Sequence, residues 1–147
     1  MSTWFYITAA AAVLGIVAAF IICLMNKGEV KEEYSSKDPM LMEIQNLLIK
    51  LHPAAAKINV HKADKSYTVN KKDMHLCLYN EKKEYFNKNM LMYVAIHELA
   101  HVICPNIGHT PEFYQKMDEL LNKAISMGIY NPSIPIVSDY QDRCQLD

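Results

Sequence analysis

The chain predicts an α+β fold, with helices and a few strands in one small domain behind an apolar amino-terminal segment. Three observations carry this expectation. Residues 4–25 contain no charged side chain. Residues 57–80 alternate apolar and polar side chains at the period of a strand. Residues 39–51 and 111–127 repeat apolar side chains at the period of a helix, and 90–104 are apolar nearly throughout, as in a buried helix.

The amino-terminal run reads W-F-Y-I-T-A-A-A-A-V-L-G-I-V-A-A-F-I-I-C-L-M. As a helix it is about 33 Å long, enough for a hydrocarbon core of roughly 30 Å. Trp4, Phe5 and Tyr6 would then stand at one lipid–water interface. A cleavable signal peptide is the alternative, but the basic n-region is missing and the apolar stretch is long for one. The expectation is a single-pass membrane protein. Residues 1–26 form its anchor and meet lipid through residues 4–25. Residues 27–38 are a polar linker, 39–128 the folded domain and 129–147 an extended tail. Lys27, Lys31 and Lys37 follow the span and no Lys or Arg precedes it, which places the domain in the cytosol.

Asp38-Pro39 opens the first helix, lined on one side by Leu41, Ile44, Leu47, Leu48 and Leu51 until Pro53. Ile58 with Val60, and Tyr67 with Val69, read as strands. So does the alternation of Met74, Leu76 and Leu78 against His75, Cys77 and Tyr79. Turns are expected at 63–66 and 70–73. The strands are expected to be antiparallel, with residues 74–80 offering a free edge to an extended peptide. The next helix, capped by Asn87 or Asn89, reads M-L-M-Y-V-A-I-H-E-L-A-H-V-I-C from Met90 and is apolar nearly all round. Pro105 stops it. Thr110-Pro111-Glu112 opens the last helix, which carries Phe113, Met117, Leu120, Leu121, Ala124 and Met127 inward and ends at Gly128.

Chemistry concentrates at His97-Glu98-Leu99-Ala100-His101. Residues four apart share a helical face, so both imidazoles can reach one ion, and the glutamate beside the first can act on a water the ion activates. Three polar groups on an apolar helix cost about 1–3 kcal/mol each unless they find partners, and a metal satisfies both imidazoles together. A catalytic zinc needs a third protein ligand and an open position. His109 follows a turn containing Asn106 and Gly108 and can fold back to supply it. Cys104 is the competing ligand, although a buried cysteine is commonly a small apolar residue. His52, His61 and His75 lack helical pairing with the motif and are not expected to be ligands.

H-E-L-A-H, seven further residues and then H-T-P-E-F-Y-Q-K-M-D-E-L resembles the WLM family of zinc metallopeptidases and its SprT-like relatives. The resemblance covers roughly residues 39–127 and is most specific over 89–121. It implies a small zincin-like core, Zn2+ bound by His97, His101 and His109, Glu98 as general base, and a protein or peptide substrate. Relatives of this kind also carry SUMO-interaction motifs behind the peptidase domain. Ile134-Pro135-Ile136-Val137-Ser138-Asp139 resembles one and could add as a strand to a SUMO-like partner; a tail simply packed on the domain is the plainer alternative.

A net charge of −1 and a pI near 6.6 argue against bulk attraction to nucleic acid, and the lysine pairs between residues 57 and 88 read as a solvated face. Cys23, Cys77, Cys104 and Cys144 form no C-x-x-C motif, so free thiols in a reducing compartment are expected. The rival to a peptidase is a membrane-tethered structural protein whose zinc only stabilises the fold. A structural site is normally closed by four protein ligands, so Cys104 would then join the three histidines.

Overall fold

The computed structural model describes residues 38–146. Helix α1 spans Pro39–Leu51 and starts where Asp38 caps it, its Oδ1 accepting from the Met40 amide at 3.0 Å and the Leu41 amide at 3.4 Å. Its buried stripe is Leu41, Ile44, Leu48 and Leu51. A 3₁₀ turn, Pro53–Lys57, is capped by His52 Nδ1, which accepts from the Ala54 amide. Strands β1 (Asn59–Lys62), β2 (Tyr67–Val69) and β3 (Asp73–Leu76) follow, then helices α2 (Lys88–Ile103), α3 (Pro111–Ser126) and α4 (Asp139–Cys144). The fold is α+β, as the periodicities predict.

Asp38 does more than begin a helix. Its carboxylate also accepts from the Tyr85 hydroxyl at 2.8 Å and from the Tyr79 hydroxyl. Burial works against its charge, but the two tyrosine hydroxyls and the Leu41 and Met40 amides outweigh it, so the group titrates below its ordinary 3.8. Replacing Asp38 by Ala is expected to cost about 1–2 kcal/mol in urea unfolding. Because the folded value lies below the unfolded one, this stabilisation is present above pH 3.8 and disappears as pH falls through the folded value. A cost that stays constant into acid would contradict the assignment.

The sheet corrects the expectation of antiparallel strands. Its order is β1-β3-β2, with β3 parallel to β1 and antiparallel to β2. The β2–β3 link is the three residues 70–72, with a tight turn at its start: Asn70 and Lys71 have φ of 50° and 55°, and the Lys72 amide donates to the Val69 carbonyl at 3.0 Å. Two residues at positive φ match the right-handed strand twist and close a tight hairpin. β1 then pairs on the far side of β3. Residues 74–80 therefore offer no free edge; β3 ends at Leu76 and is the central strand, and among the described residues the edge strands are β1 and β2. The side chains of β2 alternate between solvent and the domain interior. Tyr67 and Val69 are exposed, and Thr68 points toward α2.

On the outer face Tyr67, His75 and His61 stack in a row, with ring centroids 4.5 Å and 4.9 Å apart. Burial first, and then the neighbouring His61, hold the His75 imidazole below its ordinary value, with Asp73 opposing. On the inner face Val60, Met74 and Leu76 are buried. The core is closed by α2, whose Met90, Leu91, Met92, Val94, Ala95, Ile96, Leu99 and Ala100 are all buried.

The extended tail expected from residue 129 onward is not observed. Tyr130, Tyr140 and Cys144 are buried, and α4 packs back on the domain. The Tyr140 hydroxyl donates to the Cys77 carbonyl at 2.8 Å, the Cys77 amide donates to Ser66 Oγ at 2.9 Å, and Ser66 Oγ lies 2.7 Å from the Tyr140 oxygen. With the tyrosine proton engaged, the serine hydroxyl donates to the phenol, so the three groups form a closed ring of hydrogen bonds. Burial first, and then the Glu98 carboxylate, push this phenol up to about 12, against the lowering effect of Ser66. Few residues carry the tail packing, which is why composition alone hid it.

A Cys77–Cys144 disulfide with Cα atoms 5.7 Å apart closes a 67-residue separation and corrects the expectation of free thiols. Cys104 is the free cysteine among the described residues. The expected single-pass membrane localisation is corrected as well: among the described residues no helix is long and apolar enough to cross a membrane. The 4–25 run and residues 26–37 lie outside the described residues.

Candidate metal centre

His97 and His101 stand one turn apart on α2, which starts at the Asn87 cap and runs unbroken to Ile103. The chain leaves the helix at Cys104 and turns at Gly108, where φ is +82°. Glycine reaches that conformation without strain, and the turn delivers His109 to the same place. His109 is steadied from the other side. Thr110 Oγ1 accepts from the Phe113 amide to cap α3, and Asn106 Nδ2 donates to Glu112 Oε2 at 2.6 Å, tying the loop to the first turn of α3.

The three rings converge through Nε2. His97 Nε2 lies 3.2 Å from that of His101 and 3.1 Å from that of His109. One ligand atom from each lies within 4.8 Å of the others, and among the described residues this is the cluster that could hold a metal. A tetrahedral ion with metal–nitrogen bonds of about 2.0–2.1 Å sets its ligand atoms about 3.3 Å apart, so the spacing fits. Hydrogen bonding alone accounts for it poorly, because one imidazole lone pair cannot accept well from two neighbours at once. Three imidazoles suit a borderline-soft divalent ion. Phe113, fully buried, holds its ring centroid 5.0, 4.3 and 4.8 Å from those of His97, His101 and His109.

Cys104, the competing ligand, is not brought into the cluster. It is buried at the helix C-cap, where its amide donates to the Ala100 carbonyl and its own carbonyl accepts from the Lys71 ammonium. His52, His61 and His75 also remain outside the cluster.

Glu98 is fully buried, and Thr68 Oγ1 donates to its Oε2 at 2.6 Å. Nothing in the sequence pointed to Thr68. It is the polar member of a three-residue strand, and no spacing rule links it to a motif thirty residues away. Ile134 and Ile136 of the SUMO-like segment are exposed, Val137 packs against the core, and the segment contains no strand.

Residues 28–126, more than half of the chain, match the family described as YgjP-like, metallopeptidase domain. Uncharacterized viral proteins are similar to it. One from Invertebrate iridescent virus 3 is 50% identical over 76 residues, covering 51% of this chain and 48% of the relative. One from Invertebrate iridescent virus 6 is 40% identical over 88 residues, covering 58% and 49%. One from Acanthamoeba polyphaga mimivirus is 39% identical over 83 residues, covering 55% and 42%. The chain spans about half the length of these curated relatives. No solved structure matches. The family match supports a relationship to zinc metallopeptidases but does not show the WLM assignment that the motif suggested. With three converging histidines beside a buried glutamate, and with this match across the domain, the chain belongs to the YgjP-like metallopeptidase domain family.

Proposed function

We propose that the domain is a zinc-dependent peptidase acting on polypeptide substrates. The observation that carries this reading is the convergence of three imidazole nitrogens beside a buried carboxylate on the same helix. His97, His101 and His109 would hold the zinc, which when bound would supply Lewis acidity toward water and a scissile carbonyl. Glu98 accepts a proton from the attacking water as the new carbon–oxygen bond forms. It returns that proton to the amide nitrogen as the carbon–nitrogen bond breaks, giving a carboxylic acid and an amine, which then exchange a proton to become carboxylate and ammonium. Phe113 keeps the three rings together during these steps.

The substrate enters as an extended strand along the open edge of β2. That edge is favoured over β1 because β2 carries Thr68, whose hydroxyl touches the base. The structural alternative, in which zinc only stabilises the fold, is disfavoured by the absence of Cys104 from the ligand cluster.

Metal removal tests the reading. Stripping the purified protein with a chelator is expected to abolish cleavage of an unstructured protein, and one equivalent of zinc is expected to restore it. X-ray absorption should report nitrogen and oxygen neighbours without sulfur. Undiminished cleavage by stripped protein, or sulfur bound to the zinc, overturns the proposal.

A further inference from the structure

Thr68, on an edge strand, donates its hydroxyl proton to Glu98 Oε2 at 2.6 Å across the fold. We propose that Thr68 is a positioning residue for the hydrolysis, fixing the orientation in which Glu98 receives and returns its proton. This rests on the peptidase reading above and names a residue it does not use as a reacting group.

The terminal torsion of a glutamate is broad, so packing of the stem alone leaves the carboxylate plane poorly defined. The Thr68 hydroxyl narrows that freedom. At 2.6 Å from Oε2 it is within the range of a charge-assisted O–H···O⁻ bond, whereas the Glu98 carbonyl, 3.5 Å away, competes weakly for the same proton.

The hydroxyl is mounted rigidly. Thr68 pairs with Met74 on the central strand, and Met74 is fully buried. Its β-branched side chain has few rotamers to explore. The hairpin is fastened to α2 at a second point, where the Lys71 ammonium donates to the Cys104 carbonyl at the helix end. Lys71 adopts φ of 55°, a strained conformation for a residue with a side chain, and its reach to the helix end offsets that cost. Two fastenings set the height of the hairpin along α2, so the hydroxyl meets the carboxylate without adjustment. A group held by a strand on one side and a helix on the other is placed more exactly than one carried by a loop.

Two variants and two readouts test this in the full chain. Thr68→Val keeps the shape and strand preference of the residue and removes the hydroxyl; Thr68→Ser keeps the hydroxyl. In the zinc-loaded protein Thr68→Val is expected to lower kcat for an unstructured protein substrate by about 10- to 100-fold. KM and zinc stoichiometry should be unchanged. Thr68→Ser should recover most of the lost rate. In the zinc-free protein, the Glu98 carboxyl 13C resonance, identified by its loss in Glu98→Gln, should move in Thr68→Val and stay in place in Thr68→Ser. A resonance unmoved by Thr68→Val overturns the proposal, as does a Thr68→Ser enzyme as slow as Thr68→Val. If wild type cleaves, Glu98→Gln does not, and Thr68→Val matches wild type, only the role of Thr68 fails. If wild type shows no cleavage that depends on Glu98, the peptidase reading fails and the role of Thr68 in it falls too.

Discussion

Glu98→Gln is expected to lower kcat by about 10²–10⁴-fold while leaving the metal and the fold in place. The amide has the shape of the carboxylate and keeps an oxygen for the Thr68 hydroxyl, which now lies 2.6 Å from Oε2. What it loses is basicity. A group that cannot accept the water's proton leaves the attack without an internal acceptor, and the leaving nitrogen without a local donor. The loss falls on the transition state alone, so kcat and kcat/KM should drop together with KM nearly constant. Steady-state kinetics on an unstructured protein, paired with a zinc assay, decide the matter. Retained turnover in the metal-loaded variant would remove the base from the mechanism. Loss of metal in the variant would show that the glutamate serves the ligands rather than the reaction.

Breaking the Cys77–Cys144 bond is the largest expected perturbation of stability. The bond spans 67 residues, including all of α2 and α3. Opening it restores to the unfolded chain an entropy worth about 4 kcal/mol in the loop-closure account. It also frees α4, which carries Tyr140 into the ring of hydrogen bonds with Ser66 and the Cys77 backbone. The double variant Cys77→Ser/Cys144→Ser avoids leaving a reactive thiol and should unfold at a markedly lower urea midpoint than the oxidised protein. Dithiothreitol should bring the oxidised protein to the same midpoint. Equal midpoints with and without reductant would show that the bond carries no stability.

Helices α1, α2 and α3 were legible because each joins an apolar stripe or run to explicit end signals, whereas the six-residue α4 inside the expected tail was not. Asp38-Pro39 and Thr110-Pro111 mark two starts, and Gly128, at φ of +68°, lies just past the end of α3, where the chain was expected to leave the helix. The motif placed His97, Glu98 and His101 on one helix, and the turn through Gly108 brings His109 beside them. The sheet was far less legible. A strand of three residues has one side chain on one face and two on the other, so its alternation cannot say which side is buried; Tyr67 and Val69 marked the strand and are exposed. Strand order depends on where β1 docks, a tertiary matter with no local signal. The disulfide was hidden because Cys77 and Cys144 are far apart in sequence and share no motif, and the tail because Tyr130, Tyr140 and Cys144 are its sparse anchors. Thr68 escaped because its meaning comes only from the glutamate it meets across the fold.

A middle strand with neighbours on both flanks has spent its backbone hydrogen-bonding capacity, which leaves only short margins: four residues on β1 and three on β2. A guest chain lying along β2 can form only a few main-chain bonds, at about 1 kcal/mol each. Micromolar attachment needs roughly 8 kcal/mol. The remainder must come from side chains and from how little it costs the guest to straighten, so such a rail discriminates against tightly folded visitors and also gives one domain little purchase on the sheet of another.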